Sequence, residues 1–200
     1  MLSIRRILQA LYYIQSKTPT CNDAKCNIMY LLKMMFFADR YHIRHFGFVA
    51  SGDTYVAMKR GPVGSATMDI LRKQMPRQAN STEMSLLDDV SVVSENDVEI
   101  AKQDDDELSK SFIRSLDFAL KTYGDRSQLE LSAITHDYPE WKKHETAINS
   151  GTSGTKSIPM DFKDFFDNPE TLKYSKTDPF TDDKDFLRAL KDDFSGQSSC

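Results

Sequence analysis

The sequence has no long apolar run and few cysteines, and each of these scarcities excludes a class of protein. No run of about 18 or more apolar residues occurs among its 200 residues, so we expect no membrane contact. Three cysteines without a secretion signal give no disulfide framework and favour a reducing cytoplasm. Cys21-x4-Cys26 lacks the second pair that a zinc site needs, so we predict no chemical role for the thiols.

Signatures of catalysis are also missing. The chain has no glycine-rich phosphate loop and no nucleophile elbow. Asp39, His42 and His45 are spaced so that they cannot converge on a straight helix, which argues against a metal site. His136, near Trp141, is interpreted as a packed histidine that holds a turn. A perturbed Asp39–His42 pair is an acid–base alternative, but we prefer a structural pair and predict no enzyme, cofactor or metal.

The net charge of −4 conceals two segments of opposite sign. Residues 1–77 contain 12 basic and four acidic side chains, a balance of +8. Residues 78–107 contain one basic and ten acidic side chains, a balance of −9. Segments of opposite charge in one chain favour either self-complementary surfaces or a charged partner, and an ordinary solvated exterior is the alternative. Nucleic-acid binding is therefore a second hypothesis, although no recognition-helix motif supports it.

Residues 31–65 form the segment around which we expect the fold to be organised, and its helix is predicted over residues 26–46. At helical spacing their apolar side chains fall on two nearly opposite faces, which is typical of a helix buried among others. Asp39 falls in the middle of one apolar face, and a buried carboxylate needs a partner. We expect that partner to be His42, or backbone N–H groups and Lys59 or Arg60 in the following loop.

The loop after this helix has two glycine turns, at Gly52 and at Gly61-Pro62, around the short apolar run 55–58. We predict that it folds back on the central helix. A third helix is then predicted over 63–74, entered at Pro62.

Helix and strand patterns cover the rest of the domain, which we predict to be mainly α (α+β). It is a multi-helix globular domain around a central buried helix, with a small β-hairpin and a C-terminal extension. The predicted elements are a helix over 3–17, a cap at Asn22 or Asp23, a helix end at Gly47, strands over 84–93 and 98–101, a helix from the acidic run 103–107 to Tyr123, a capping box at Ser127 and Glu130, and a helix entered at Pro139.

The composition of the segment SGTSGTKS at 150–157 is typical of a linker. We therefore divide the chain into a domain, 1–149, and an extension, 150–200. The extension places apolar clusters among acidic residues and ends in an amphipathic helix. Such a helix can dock in a partner's groove or pack on its own domain, and both readings stay open. We expect the domain to fold without the extension. The residues predicted to bind a partner are Asp53, Lys59, Arg60, Phe162, Phe165, Phe166, Phe186, Leu187, Leu190 and Phe194.

Three segments carry a family resemblance. They read FADRYHIRHFG from Phe37, SGDTYVAMKRGPVGS from Ser51 and TYGDRSQLELSAITHDYPEWKK from Thr122. Together they resemble the Panacea domain, the SocA-like antitoxin family. The sequence departs from the usual family pattern at four places: Phe36-Phe37, Arg60, Gly64, where a proline is common, and Glu140, which separates Pro139 from Trp141.

The resemblance implies an antitoxin of a bacterial toxin–antitoxin pair, which neutralises a cognate toxin by direct binding and without catalysis. The alternatives are a proteolytic adaptor that delivers the toxin to a protease and a DNA-binding autoregulator. Candidate partners are therefore a toxin, a protease, nucleic acid or a second copy of the chain. The motif residues that we expect to be structural are Asp39, Arg40, His42, Gly52, Gly61, Pro62, His136 and Trp141.

Overall fold

The computed structural model describes residues 2–19, 21, 26–103, 107–150, 157–180 and 184–197. The predicted cap at Asn22 or Asp23, most of the acidic run 103–107 and most of the linker 150–157 lie outside the described residues. Within the described ranges, no helix is both long and apolar enough to cross a membrane.

The described chain is mainly helical with small antiparallel sheets, which confirms the predicted fold class. The helices are α1 (Ile4–Lys17), α2 (Ile28–Phe46), α3 (Ser65–Leu71), α4 (Lys110–Tyr123), α5 (Gln128–Thr135), α6 (Pro139–Lys142), α7 (Glu145–Asn149) and α8 (Lys184–Gln197), with 3₁₀ segments at Ser81–Asp89 and Phe162–Phe166. The strands are β1 (Cys26–Asn27), β2 (Tyr55–Met58), β3 (Gly61–Gly64), β4 (Val90–Val92), β5 (Asp97–Ile100) and β6 (Ile158–Pro159). They form sheets in the orders β1-β5-β4 and β3-β2-β6.

Helix α2 is the buried centre of the fold, as its two apolar faces predict. Every residue from 30 to 44 is buried, and the helix packs against α1, α4, α5 and β3. The Asn27 side chain accepts a hydrogen bond from Met29 N and caps the first turn. Gly47 ends the helix with φ of +79°, a left-handed conformation that glycine adopts without strain.

Residues 55–64 form a β-hairpin, so the prediction of a loop and of a helix entered at Pro62 is wrong. Tyr55 pairs with Gly64 and Val56 with Val63, and α3 begins only at Ser65. Pro62 is tolerated because β3 is an edge strand, where a missing N–H removes no bond to a further strand. The second hairpin lies where predicted but is shorter, because residues 81–89 form a 3₁₀ segment before β4.

Cys21 and Cys26 are paired as a disulfide, with Cα atoms 4.7 Å apart. That separation is within the usual range for a disulfide. The prediction that the thiols have no chemical role is therefore wrong for this pair. The bond ties the segment after α1 to β1, where Cys26 pairs with Val98 of β5.

The C-terminal segment packs on its own domain, which is one of the two readings that the sequence left open. Strand β6 pairs antiparallel with β2 and completes the sheet of the first hairpin. Phe165 and Phe180 are fully buried, and Phe166 and Leu187 are each 3% exposed. A partner-binding role for Phe165, Phe166 and Leu187 is therefore corrected, because these side chains fill the core.

Candidate functional site

Asp39 lies near the start of the segment FADRYHIRHFG and is fully buried. Its carboxylate accepts hydrogen bonds from Ser51 N at 3.0 Å, from Ser51 Oγ and from Tyr55 OH at 2.7 Å. The expected backbone N–H donor is therefore present. The side-chain donors are Ser51 and Tyr55, and not the expected His42, Lys59 or Arg60. Burial raises the pKa of Asp39 to about 6, and the hydrogen bonds from Ser51 and Tyr55 oppose that rise.

His42 uses both ring nitrogens elsewhere, so it does not form an acid–base pair with Asp39. Nδ1 donates to Phe48 O at 2.8 Å, and Nε2 lies 3.0 Å from Ser111 Oγ. Burial lowers the pKa of His42, which favours the neutral ring. His45 Nδ1 bonds to Tyr41 O instead. Among the described residues, no three side chains of the kinds that bind metals lie together.

Asp53 is used inside the chain, which corrects its predicted role as a partner-binding residue. It is 3% exposed and accepts hydrogen bonds from Ala66 N and Thr67 N at 2.8 Å each, and from Thr67 Oγ1 at 2.7 Å. The carboxylate therefore satisfies the free N–H groups at the start of α3. A Cβ atom at Gly64 would lie 2.5 Å from Asp53 Oδ2, which accounts for glycine at this position.

Arg40 and Glu140 form a fully buried ion pair, with Nε and Oε1 2.7 Å apart. The Arg40 guanidinium also lies over the rings of Tyr138 and Phe180, at 4.2 and 4.7 Å from their centres. Burial raises the pKa of Glu140, and the charge of Arg40 opposes the rise. We assigned Glu140 no role from the sequence. Its position as an acidic residue between Pro139 and Trp141 was the available signal.

Arg44 holds the C-terminal segment and was not identified from the sequence. Its guanidinium donates to Phe165 O at 2.9 Å and to Phe180 O and Asn168 Oδ1 at 2.6 Å each. Arg40 Nη2 adds a bond to Asp167 O at 2.9 Å. Two arginines one turn apart on α2 therefore bind the backbone of residues 165–180.

The glycine turn and the histidine–tryptophan motif meet at one end of β2. Trp141 Nε1 donates to Met58 O at 2.9 Å, and the His136 ring stacks on Trp141 with centres 3.7 Å apart. Burial lowers the pKa of His136 to about 4. Gly61 has φ of +100°, and a Cβ atom there would collide with Thr135 Oγ1. Gly52 also has positive φ, +73°.

The remaining predicted partner residues keep some exposure. Lys59 and Arg60 are exposed at the turn of the first hairpin. Phe186 is 47% exposed on α8, whereas Phe162, Leu190 and Phe194 are half-buried against the core. The structure therefore separates these residues into a cationic turn and an aromatic helix face.

Comparison with known families decides the identity of this domain. A family model described as antitoxin SocA-like, Panacea domain, matches residues 31–142, which is more than half of the chain. The chain belongs to this family. No curated protein and no solved structure gives a significant match to it.

The Panacea domain match covers the buried polar groups but not the segment that α2 binds. Asp39, Asp53 and the Arg40–Glu140 pair lie inside residues 31–142. The acceptors of Arg44 lie at 165–180, beyond the match. The core of this Panacea domain therefore includes a C-terminal segment that the family model does not cover.

Asp39→Ala is expected to lower the free energy of unfolding by about 1–3 kcal/mol, because Ser51 and Tyr55 keep buried donors without an acceptor. Urea denaturation followed by circular dichroism at pH 7 measures the change. Asp125→Ala removes an exposed carboxylate and should stay within about 0.5 kcal/mol of the parent chain. An unchanged unfolding energy with lost function would make Asp39 a site residue instead.

The same variant reports on the raised pKa of Asp39. Because the folded chain binds this proton more tightly than the unfolded chain, protonation stabilises the fold. The stability advantage of the parent chain over Asp39→Ala should be largest below the ordinary pKa of 3.8 and should fall as pH rises through about 6. An advantage that grows over this range would contradict the assigned direction.

Proposed function

We propose that the chain is an antitoxin that neutralises a cognate toxin by direct protein–protein binding and without catalysis. Membership of the SocA-like antitoxin family supports a toxin as the partner. The carboxylates of Asp39 and Asp53 and the guanidinium of Arg40 are buried and bonded within the chain. Such groups stabilise a scaffold and are poorly placed to react with a substrate.

An exposed aromatic surface carries the proposal. It consists of Phe46, Phe48 and Phe186, which are 36, 56 and 47% exposed. A Cβ atom at Gly47 would lie 3.8 Å from Leu190, and Phe186 lies one turn before Leu190 on α8. The aromatic surface therefore spans the end of α2 and the face of α8, and aromatic residues are enriched where proteins bind one another.

Charge around the aromatic surface fits a basic partner. On α8, the helix that carries Phe186, three exposed carboxylates outnumber the exposed cation Arg188; they are Asp185, Asp192 and Asp193. Toxins that act on nucleic acids or nucleotides need cationic clefts, and an acidic surface accelerates encounter with such a cleft. Exposed phenylalanines then supply the apolar contact after encounter.

The DNA-binding alternative loses part of its cationic surface. Lys33, Arg40 and Arg44 belong to the basic segment 1–77 but are each at most 1% exposed. Their charges are directed to acceptors inside the chain and are unavailable to phosphates. A proteolytic adaptor would use the same toxin contact, so it is distinguished only by the fate of the toxin.

The test is co-expression with the product of the neighbouring gene, followed by co-purification and growth measurement. Phe48→Ser with Phe186→Ser is expected to lower toxin affinity about 100-fold and to abolish rescue of growth, because each aromatic contact contributes about 1.4 kcal/mol or more. Met84→Ser removes an apolar side chain that is 64% exposed elsewhere and should leave both readouts unchanged.

Two outcomes would contradict the proposal. Unchanged binding by the folded double variant would place the contact away from the aromatic surface. A complex in which the toxin is degraded, with growth restored only when a protease is active, would favour the adaptor. Circular dichroism of each variant keeps loss of folding separate from loss of binding.

A further inference from the structure

A cavity of about 490 Å³ lies beside the first hairpin, between the start of α2, α3 and the β4–β5 turn. Its walls are largely apolar and include Leu32, Met58, Val63, Met68 and Leu71. This volume and lining are typical of sites that bind small molecules. The buried polar side chains of Asp39 and Arg40 do not line it.

Cations surround the opening of this cavity. Lys59, Arg60 and Arg72 are exposed and line it, whereas Glu95 is the carboxylate among the lining residues. Within the part of the chain that the structure describes, none of these three cations forms an ion pair. The cavity therefore combines apolar walls with an excess of positive charge.

Lys33 adds an amine to the lining and is 1% exposed. Its Nζ donates to Pro62 O at 2.7 Å, whereas an ammonium has three N–H donors. Burial lowers the pKa of Lys33 to about 7, because water no longer solvates the charge. An anion in the cavity would offset that lost solvation.

We propose that this cavity binds a small amphipathic anion, an acyl chain that ends in a carboxylate. The apolar walls match the chain, and the cations at the opening match the carboxylate. The site is separate from the aromatic surface, so it does not depend on how the chain binds a toxin.

A larger cavity, about 760 Å³, lies between α6 and the C-terminal segment but does not combine apolar walls with an excess of positive charge. Its lysines and Arg188 are interspersed with Asp137, Asp167 and Glu170. Lys191 is already paired with Asp167 at 2.7 Å. Mixed charges of this kind do not select an anion.

Calorimetry with three probes of the same chain length tests the proposed class of ligand. Decanoate carries the anion, decanol is neutral and decyltrimethylammonium is cationic, each used below its micelle concentration. Decanoate is expected to bind the full chain about tenfold or more tightly than decanol, because a charged hydrogen bond adds to the apolar contact. The cationic probe should bind more weakly than decanol.

Exposed cations can be replaced without disturbing the core. Lys59→Gln with Arg60→Gln is expected to weaken decanoate binding about tenfold and to leave decanol binding unchanged. Arg114→Gln with Lys121→Gln removes the same charge from the exposed face of α4, and both affinities should be retained.

Nuclear magnetic resonance of methionine methyl groups locates the bound probe. Decanoate should shift the signals of Met58 and Met68, which line the cavity, and leave in place that of Met84, which does not line it. Equal affinities for the three probes, no binding of decanoate, or shifts confined to Met84 would each overturn the proposal.

Discussion

Truncation of the chain after Asn149 is expected to leave a domain that does not fold. Arg44 would lose its acceptors at Phe165, Asn168 and Phe180, and Arg40 would lose Asp167 O. Each hydrogen bond that involves a charged group contributes about 1.5–3 kcal/mol. The combined loss for two arginines is comparable to the whole stability of a typical domain, about 5–15 kcal/mol.

Loss of apolar packing adds to this cost. Phe165 and Phe180 are fully buried against α2 residues and core aromatic rings, and each contributes about 1.5–3 kcal/mol by burial. Asp137 would also lose three backbone donors, Lys173 N, Tyr174 N and Ser175 N. This prediction reverses the expectation from the sequence that residues 1–149 fold alone.

The measurement is circular dichroism and thermal unfolding of the 1–149 chain. Phe180→Ala in the full chain removes one buried contact of the segment that the truncation removes whole. It should lower the unfolding free energy by about 3–5 kcal/mol, because it leaves a cavity under the arginines. Lys176→Ala changes an exposed side chain of the same segment and should preserve folding. A 1–149 chain with a cooperative transition at the parent temperature would show that the arginines are satisfied without the segment.

The central helix was predictable because its signal is local and strong. Two apolar faces over 26–46 required a helix covered on both sides, and residues 30–44 are all buried. The buried carboxylate of Asp39 likewise required donors, which the structure supplies from Ser51 and Tyr55. What the sequence could not identify was which side chains of a folded-back loop would reach it.

The errors have physical causes too. Strands β2 and β3 have four residues each, too short for alternation to outweigh the turn signal of Gly61-Pro62. The position of the C-terminal segment depends on contacts such as Arg44 to Phe180, 136 residues apart in sequence. The local composition of that segment indicates a tether with a docking helix. Its apolar clusters complement a surface of the same chain, but residues distant in sequence build that surface, so local composition does not reveal it.

Replacing Glu140 alone is expected to destabilise the chain more than replacing Glu140 and Arg40 together. Glu140→Leu leaves the guanidinium of Arg40 buried without its counter-charge, at a cost of about 3–5 kcal/mol. Arg40→Met with Glu140→Leu removes both charges and refills the space with apolar atoms. Such replacements are often neutral or stabilising, although Asp167 O loses one donor here.

A double-mutant cycle in urea measures the coupling between the two side chains, which should exceed about 2 kcal/mol. Lys142 and Glu145 provide the matched comparison, since they form an ion pair at 2.8 Å with side chains that are 50 and 38% exposed. Solvent screens that pair, so its coupling should be below about 1 kcal/mol. Additive effects at Arg40 and Glu140 would show that water or another group compensates the charge. Strong coupling would instead make this buried pair, together with the rings of Tyr138 and Phe180 beneath it, the element that fixes α6 and the C-terminal segment on α2.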